Sequence, residues 1–256
     1  MAAISFQRWF KCSRNRWRGP YIGGGIIITL YDGKLTAYGG KNGAGIGGGY
    51  YCSGGELTVY GGEVNAYGGK AAAGIGSGNA DLQKNRHGGT LNIHGGIVKA
   101  WGGDYGAGIG GGENSNGSKL TISGGNVYAQ GGSDAAGIGS GELDNGIYGS
   151  LTTNGGEITI TDGKVEAHGG DYGAGIGGGQ DSSGGTITIS GGEVLAFGGT
   201  DAAGIGSGEE KSEDIDGGTI TGGYVMAEGK DAGAGLGAGE DAAIGNISIS
   251  GGTVHA

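Results

Sequence analysis

Glu166 and His168 stand two residues apart in the segment KVEAH, where apolar and polar residues alternate, so both side chains turn to one outer face, with Asp162 at the bend before them. A carboxylate beside an imidazole, with a second carboxylate in reach, is minimal equipment for acid–base work on a glycosidic bond. Glu166 is therefore the candidate acid or base and Asp162 its candidate partner. Equivalent outer positions elsewhere carry Tyr38, Tyr67, Trp101 and Phe197, with Gln130 and Glu228 interrupting and Tyr128 one outward site away. Flat rings with polar edges suit sugars, whose C–H faces pack on aromatics while their hydroxyls meet polar groups. The candidate substrate-binding set is thus Tyr38, Tyr67, Trp101, Tyr128, His168 and Phe197, and it fits equally a ladder of rings that steadies strands.

Two further ranks carry polar chemistry. Thr29, Thr58, Asn92, Thr121, Thr159, Thr188, Thr219 and Ser248 recur at one outer position. Evenly spaced hydroxyls fit an ice or other crystalline surface, roughened by Tyr31, Tyr60 and His94, or strand residues hydrogen-bonded to one another. Asp104, Asp134, Asp171, Asp201 and Asp231 precede a glycine-rich segment that Glu113, Glu142, Gln180, Glu209 and Glu240 follow. Such ranks draw calcium or remain solvated corners. The chain lacks GxSxG, HExxH, CxxC and the calcium β-roll pattern, and His87, His94, His168 and His255 have no recognisable nucleophile beside them. No cofactor or resident metal is expected beyond calcium at those corners.

The residues must be positioned by a repeat. The motif GAGIGGG or AAGIGSG recurs around Ile46, Ile75, Ile109, Ile138, Ile176, Ile205 and Leu236, and its two spellings alternate. That alternation predicts a two-coil unit, with extra residues after the GSG spelling (79–87, 142–154 and 209–216) leaving as loops from one corner. Within a coil, three segments are divided by glycine steps. The first turns pairs such as Leu57 and Val59, Ile158 and Ile160, or Ile247 and Ile249 inward; the second pairs a β-branched residue or Leu with Ala, as in Val64 and Ala66; the third alternates its large residue with Gly. The expected fold is all-β: a three-sided parallel β-solenoid of about seven to eight coils over residues 23–256. One side is expected to be smooth glycine backbone that lets another backbone approach.

Glycine supplies 73 of 256 residues and proline one, which excludes collagen. The net charge is −10, yet Arg8, Lys11, Arg14, Arg16 and Arg18 crowd residues 1–22, leaving 10 basic residues against 25 acidic in the remainder. A repeat body this acidic repels nucleic acid and anionic lipid and tolerates neutral glycans. Residues 1–22 are either a basic, aromatic cap over the first coil or a leader foreign to the repeat. They lack the continuous apolar centre of an export signal, and no later run approaches a membrane span. Stacked coils leave strand edges at the end that stops on GGTVHA, so self-association is expected there or through the glycine side.

The combination GG-x-[VL]-x-A-x-GG, then [GA]AGIG[GS]G, then GG-x-[IL]-[TS]-[IV] resembles the glycine-rich β-strand repeats of large surface and secreted proteins of anaerobic bacteria, and more loosely the pectin-lyase-type β-helices. The resemblance covers about residues 23–256. It implies a chain at the cell surface or outside it, acting as an adhesin, stalk or polysaccharide-binding region. Its enzymatic alternative is a glycoside hydrolase or lyase with paired carboxylates acting on plant or bacterial polysaccharide. No catalytic position transfers from it.

Overall fold

A computed structural model describes residues 4–7, 26–80, 86–144, 152–209, 217–243 and 245–256. Each coil but the last contributes to all three parallel ladders among the described residues, and the last contributes to two. The first ladder runs from Ile27–Leu30 to Ile247–Ile249 and the second from Lys34–Tyr38 to Thr253–His255, with eight parallel strands each among the described residues. The third runs from Ile46–Gly47 to Leu236–Gly237 in seven two-residue strands. In coils four and five a single strand, Lys119–Gln130 or Glu157–His168, serves both of the first two ladders and joins them into one sheet. The register places like on like: Leu57 pairs Leu91, Val98 pairs Val127, and Ile109 pairs Ile138.

That register builds the core from ranks. In coil five Ile158 and Ile160 come from the first ladder, Val165 and Ala167 from the second and Ile176 from the third, and all five are buried. Each large member contributes roughly 1.5–3 kcal/mol relative to exposure, and alanine at every second inner site of the second ladder keeps the interior narrow. Two places depart from the rank. Gly218 sits in register between Ile187 and Ile247, where the other coils carry Leu or Ile. In the last coil Ile247 and Ile249 keep their register, but Ile249 is 52% exposed.

The glycine side is not a smooth outer face. Gly76, Gly110, Gly139, Gly177 and Gly206 are buried and lie at φ between +137° and +148°. A Cβ on any of them would stand 1.7–1.9 Å from a carbonyl oxygen of the next coil. These glycines exist so that coils can stack on one another, and the surface expected there for a second molecule is spent within the chain.

At the other end the strand Ile4–Gln7 pairs antiparallel with Ile27–Leu30 and covers the first ladder's edge. Trp9 and Phe10 of the expected cap lie outside the described residues, as do 81–85, 145–151 and 210–216 of the expected loops. Cys52 is buried and disulfide-bonded.

Candidate functional site

Outward positions of the second ladder carry the aromatic set. Parallel pairing brings Tyr38, Tyr67, Trp101, Gln130, His168, Phe197 and Glu228 into one rank. Strand spacing is close to ring-stacking distance, and the rings use it: Tyr38 on Tyr67 at 4.8 Å and 8°, Tyr67 on Trp101 at 4.6 Å and 3°, His168 on Phe197 at 4.8 Å and 16°. Gln130 would break the run, but Tyr128 leans in from the neighbouring outer position, 5.9 Å from Trp101 and 5.5 Å from His168, tilted against both. Its hydroxyl donates to the Gln130 Oε1 at 3.3 Å. The six residues chosen from the sequence therefore form one unbroken run over six coils.

Their orientation differs from the expectation. Apart from the tilted Tyr128, the rings lie face to face along the solenoid, so most of their faces are spent on one another and their edges point outward. Tyr38, first in the run, is 74% exposed and leaves one ring face open at that end. A second, shorter stack lies at the bend before the second ladder: Tyr31 on Tyr60 at 5.2 Å and Tyr60 on His94 at 5.0 Å, with His94 Nδ1 2.8 Å from Ser123 Oγ.

Glu166 and His168 meet as the alternation predicts, Oε1 to Nε2 at 2.8 Å, with both side chains part-exposed. Burial, and then the Glu166 charge, raise the Tyr128 hydroxyl above its ordinary pKa. Asp162 stands at the bend four residues before Glu166, with no hydrogen bond between them among the described residues. Its carboxylate accepts the Gly163 N–H at the bend. On the adjacent coils Glu166 faces Tyr128 and Leu195, and one coil further Lys99 and Met226, so no carboxylate flanks it in its own rank. Glu193, diagonally placed, is held by Lys164 at 2.9 Å. The paired-carboxylate arrangement is absent from this rank.

A group not singled out from the sequence carries the largest perturbation. At the corner flanking the third ladder, the Asp and Glu ranks converge on Glu142. Burial, then the charges of Asp134, Glu113, Asp144 and Asp181, push its pKa up to about 7. Glu113 and Asp134 are also raised, each chiefly by burial. Glu113 takes a hydrogen bond from Asn79 Nδ2, and Glu209 one from Gln180 Nε2 at 3.2 Å. Further along, Asp201, Glu209 and Glu240 hold carboxylate oxygens within 4.8 Å of one another, an all-oxygen set of the kind calcium takes, although an acidic cluster alone specifies no ion. The sequence signal for Glu142 was the one-coil spacing of two acid ranks at a shared corner; its burial was not readable.

The sign of the resulting pH effect is defined. Between pH 4.5 and about 7 the folded chain holds a proton on Glu142 that the unfolded chain releases, so stability falls as pH rises through that window. Because the side chain is half exposed, solvent screening reduces the effect to on the order of 1 kcal/mol. Glu142→Gln should melt about 2–4 °C higher than wild type at pH 8 and match it at pH 4. Equal melting differences at both pH values would remove Glu142 as the cause.

No helix of the described residues is long and apolar enough to cross a membrane. A family model described as a beta helix repeat matches residues 28–50, 57–79, 91–113, 120–142, 158–180 and 187–209. Each match runs from the first core residue of the first ladder to the corner rank that holds Glu113, Glu142 and Glu209. No match was found among curated proteins or among solved structures.

Proposed function

We propose, since this chain belongs to the beta helix repeat family, that its coils are a scaffold presenting the aromatic run of the second ladder to polysaccharide, within a surface or secreted bacterial protein. The observation that carries this reading is the continuity of the run from Tyr38 to Phe197 across six coils. A glycan lying along it meets a ring edge at every coil and tyrosine hydroxyls at coils one, two and four, and the exposed face of Tyr38 takes a sugar ring at the end. Lys99 and Glu166, in the outer rank beside the rings, supply the polar partners that hydroxyls need. The acidic body of the repeat argues against nucleic acid as the partner.

Retention of the protein on a panel of insoluble polysaccharides tests this. Wild type is expected to be retained on at least one, and Tyr67→Ala with Trp101→Ala to weaken that retention about tenfold or more, since stacked central aromatics dominate such contacts. Unchanged retention of the double variant, with the fold intact by circular dichroism, overturns the reading. So does failure of wild type to bind any member of the panel.

The contact between Glu166 and His168 favours a second reading, a polysaccharide-cleaving activity on the same side. It predicts release of reducing ends that Glu166→Gln abolishes while retention survives.

A further inference from the structure

Tyr31, Tyr60 and His94 occupy the outward position that ends the first ladder in coils one to three. In coils four to eight the same position carries Ser123, Thr161, Ser190, Thr221 and Ser250. Two residues earlier stands the threonine rank, where Thr121, Thr159, Thr188, Thr219 and Ser248 pair in register. The second column stays on the ladder over coils five to eight, where Ser190, Thr221 and Ser250 donate their backbone N–H to Ile160, Ile189 and Ile220; between coils four and five the register slips there, and Ser123 pairs Asp162. Coils four to eight therefore carry TIS, TIT, TIS, TIT and SIS: one hydroxyl column in register throughout and a second in register over coils five to eight, on one sheet face. The columns lie roughly 6.7 Å apart, with successive coils about 4.8 Å apart.

Eight of the ten hydroxyls are not used internally among the described residues. Ser123 Oγ accepts or donates toward His94 Nδ1 and reaches the Ile93 carbonyl at 3.5 Å, and Thr161 Oγ1 donates to the Ile122 carbonyl at 3.4 Å. The other eight make no side-chain hydrogen bond among the described residues. Stacked threonines bonded to one another, the ordinary reason for such a rank, are therefore not what this face contains. Neither column holds a charged or aromatic residue in these coils. A surface of this kind orders water in register with itself: each hydroxyl can donate and accept, and the threonine methyls between them exclude waters that would lie off the grid.

We propose that the first side of coils four to eight is an ice-binding surface. A crystalline glycan is the less suitable occupant, because its C–H faces are held by aromatic rings and this array has none. The aromatic run lies on the second side, so this inference stands independently of the glycan reading.

Recrystallisation of ice and thermal hysteresis measured with the full chain test the proposal. Wild type is expected to slow recrystallisation, and Thr188→Lys, which sets a long charged side chain in the middle coil of the array, to raise the required concentration about tenfold. Thr188→Val, which keeps the β-branched shape and is safe for folding, is expected to lose only part of the effect. Tyr67→Ala with Trp101→Ala should leave it unchanged. Absence of any effect from wild type overturns the proposal, as does full activity in a folded Thr188→Lys protein. Binding of wild type to crystalline cellulose that Thr188→Lys abolishes, with no effect on ice, would assign the face to glycan instead.

Discussion

Gly177→Ala is expected to cost roughly 3–5 kcal/mol, or to prevent folding of the central coils altogether. Two penalties coincide at this position. The backbone sits at φ +137°, where an L side chain is strained, and the new Cβ would stand 1.8 Å from the Gly206 carbonyl oxygen of the next coil. Backbone on the neighbouring coil cannot give way without breaking the third ladder, because Gly178 donates its N–H to that same Gly206 carbonyl. Gly49→Ala is the control: Gly49 is exposed, and a Cβ there meets nothing within 4 Å. It should change stability by less than about 0.5 kcal/mol. Denaturant midpoints of the two variants check the pair. Similar midpoints would mean that the third ladder does not depend on glycine.

The contrast between these two glycines shows where sequence reading reaches its limit. Side-chain periodicity made the first two ladders legible, because alternation of large apolar residues has one physical cause, burial on alternate faces. Glycine has several causes and one appearance. Gly49 and Gly177 look alike in a GIGGG motif, yet one is solvent and the other lies under the next coil, so the third side read as open surface when it is closed.

Ring orientation was similarly hidden. The rank from Tyr38 to Phe197 was visible as a spacing, but whether rings stand side by side or stack depends on side-chain torsions set by the close approach of in-register strands. Tyr128 shows the same limit, since its lean across the gap left by Gln130 crosses from one rank to another. Glu166 and His168 met as expected because two-residue spacing on a strand fixes their neighbourhood. For Asp162 the spacing fixed no such contact, because a residue at a bend meets local backbone donors such as the Gly163 N–H.

The alternation of GGG and GSG was plain in the sequence while its origin was not, and that origin carries the second large effect. In odd coils a residue at positive φ, such as Asn114 at 60° or Asp181 at 58°, folds the chain back. The carbonyl of Ser115 or Ser182 then stands 2.1–2.2 Å from where a Cβ on Gly111 or Gly178 would be, so coils three and five need glycine in the middle, whereas coil seven carries Ala238 there. Even coils leave the corner differently and have room for a side chain. Ser77, Ser140 and Ser207 fill it, buried, and each Oγ accepts the N–H of a glycine in the following odd coil: Gly112 at 2.9 Å, Gly179 at 2.9 Å and Gly239 at 3.3 Å. In return Ser115 donates to the Gly78 carbonyl and Ser182 to the Gly141 carbonyl. The serines thus tie coils together at the junctions that the inserted loops interrupt.

Ser140→Ala is accordingly expected to destabilise by about 2–3 kcal/mol, because it removes a buried acceptor and leaves the Gly179 N–H without a partner away from water. Coils in a solenoid contact only their neighbours, so the loss should be local. Hydrogen exchange at the Gly179 amide is expected to accelerate by roughly thirty- to a hundredfold, one factor of ten for each 1.4 kcal/mol, while the amide of Ile46, several coils away, keeps its protection. Ser190→Ala, an exposed hydroxyl on the first side, should leave both the exchange and the midpoint near wild type. If Ser140→Ala exchanged like Ser190→Ala, the two-coil unit would have to rest on the alternating glycines alone.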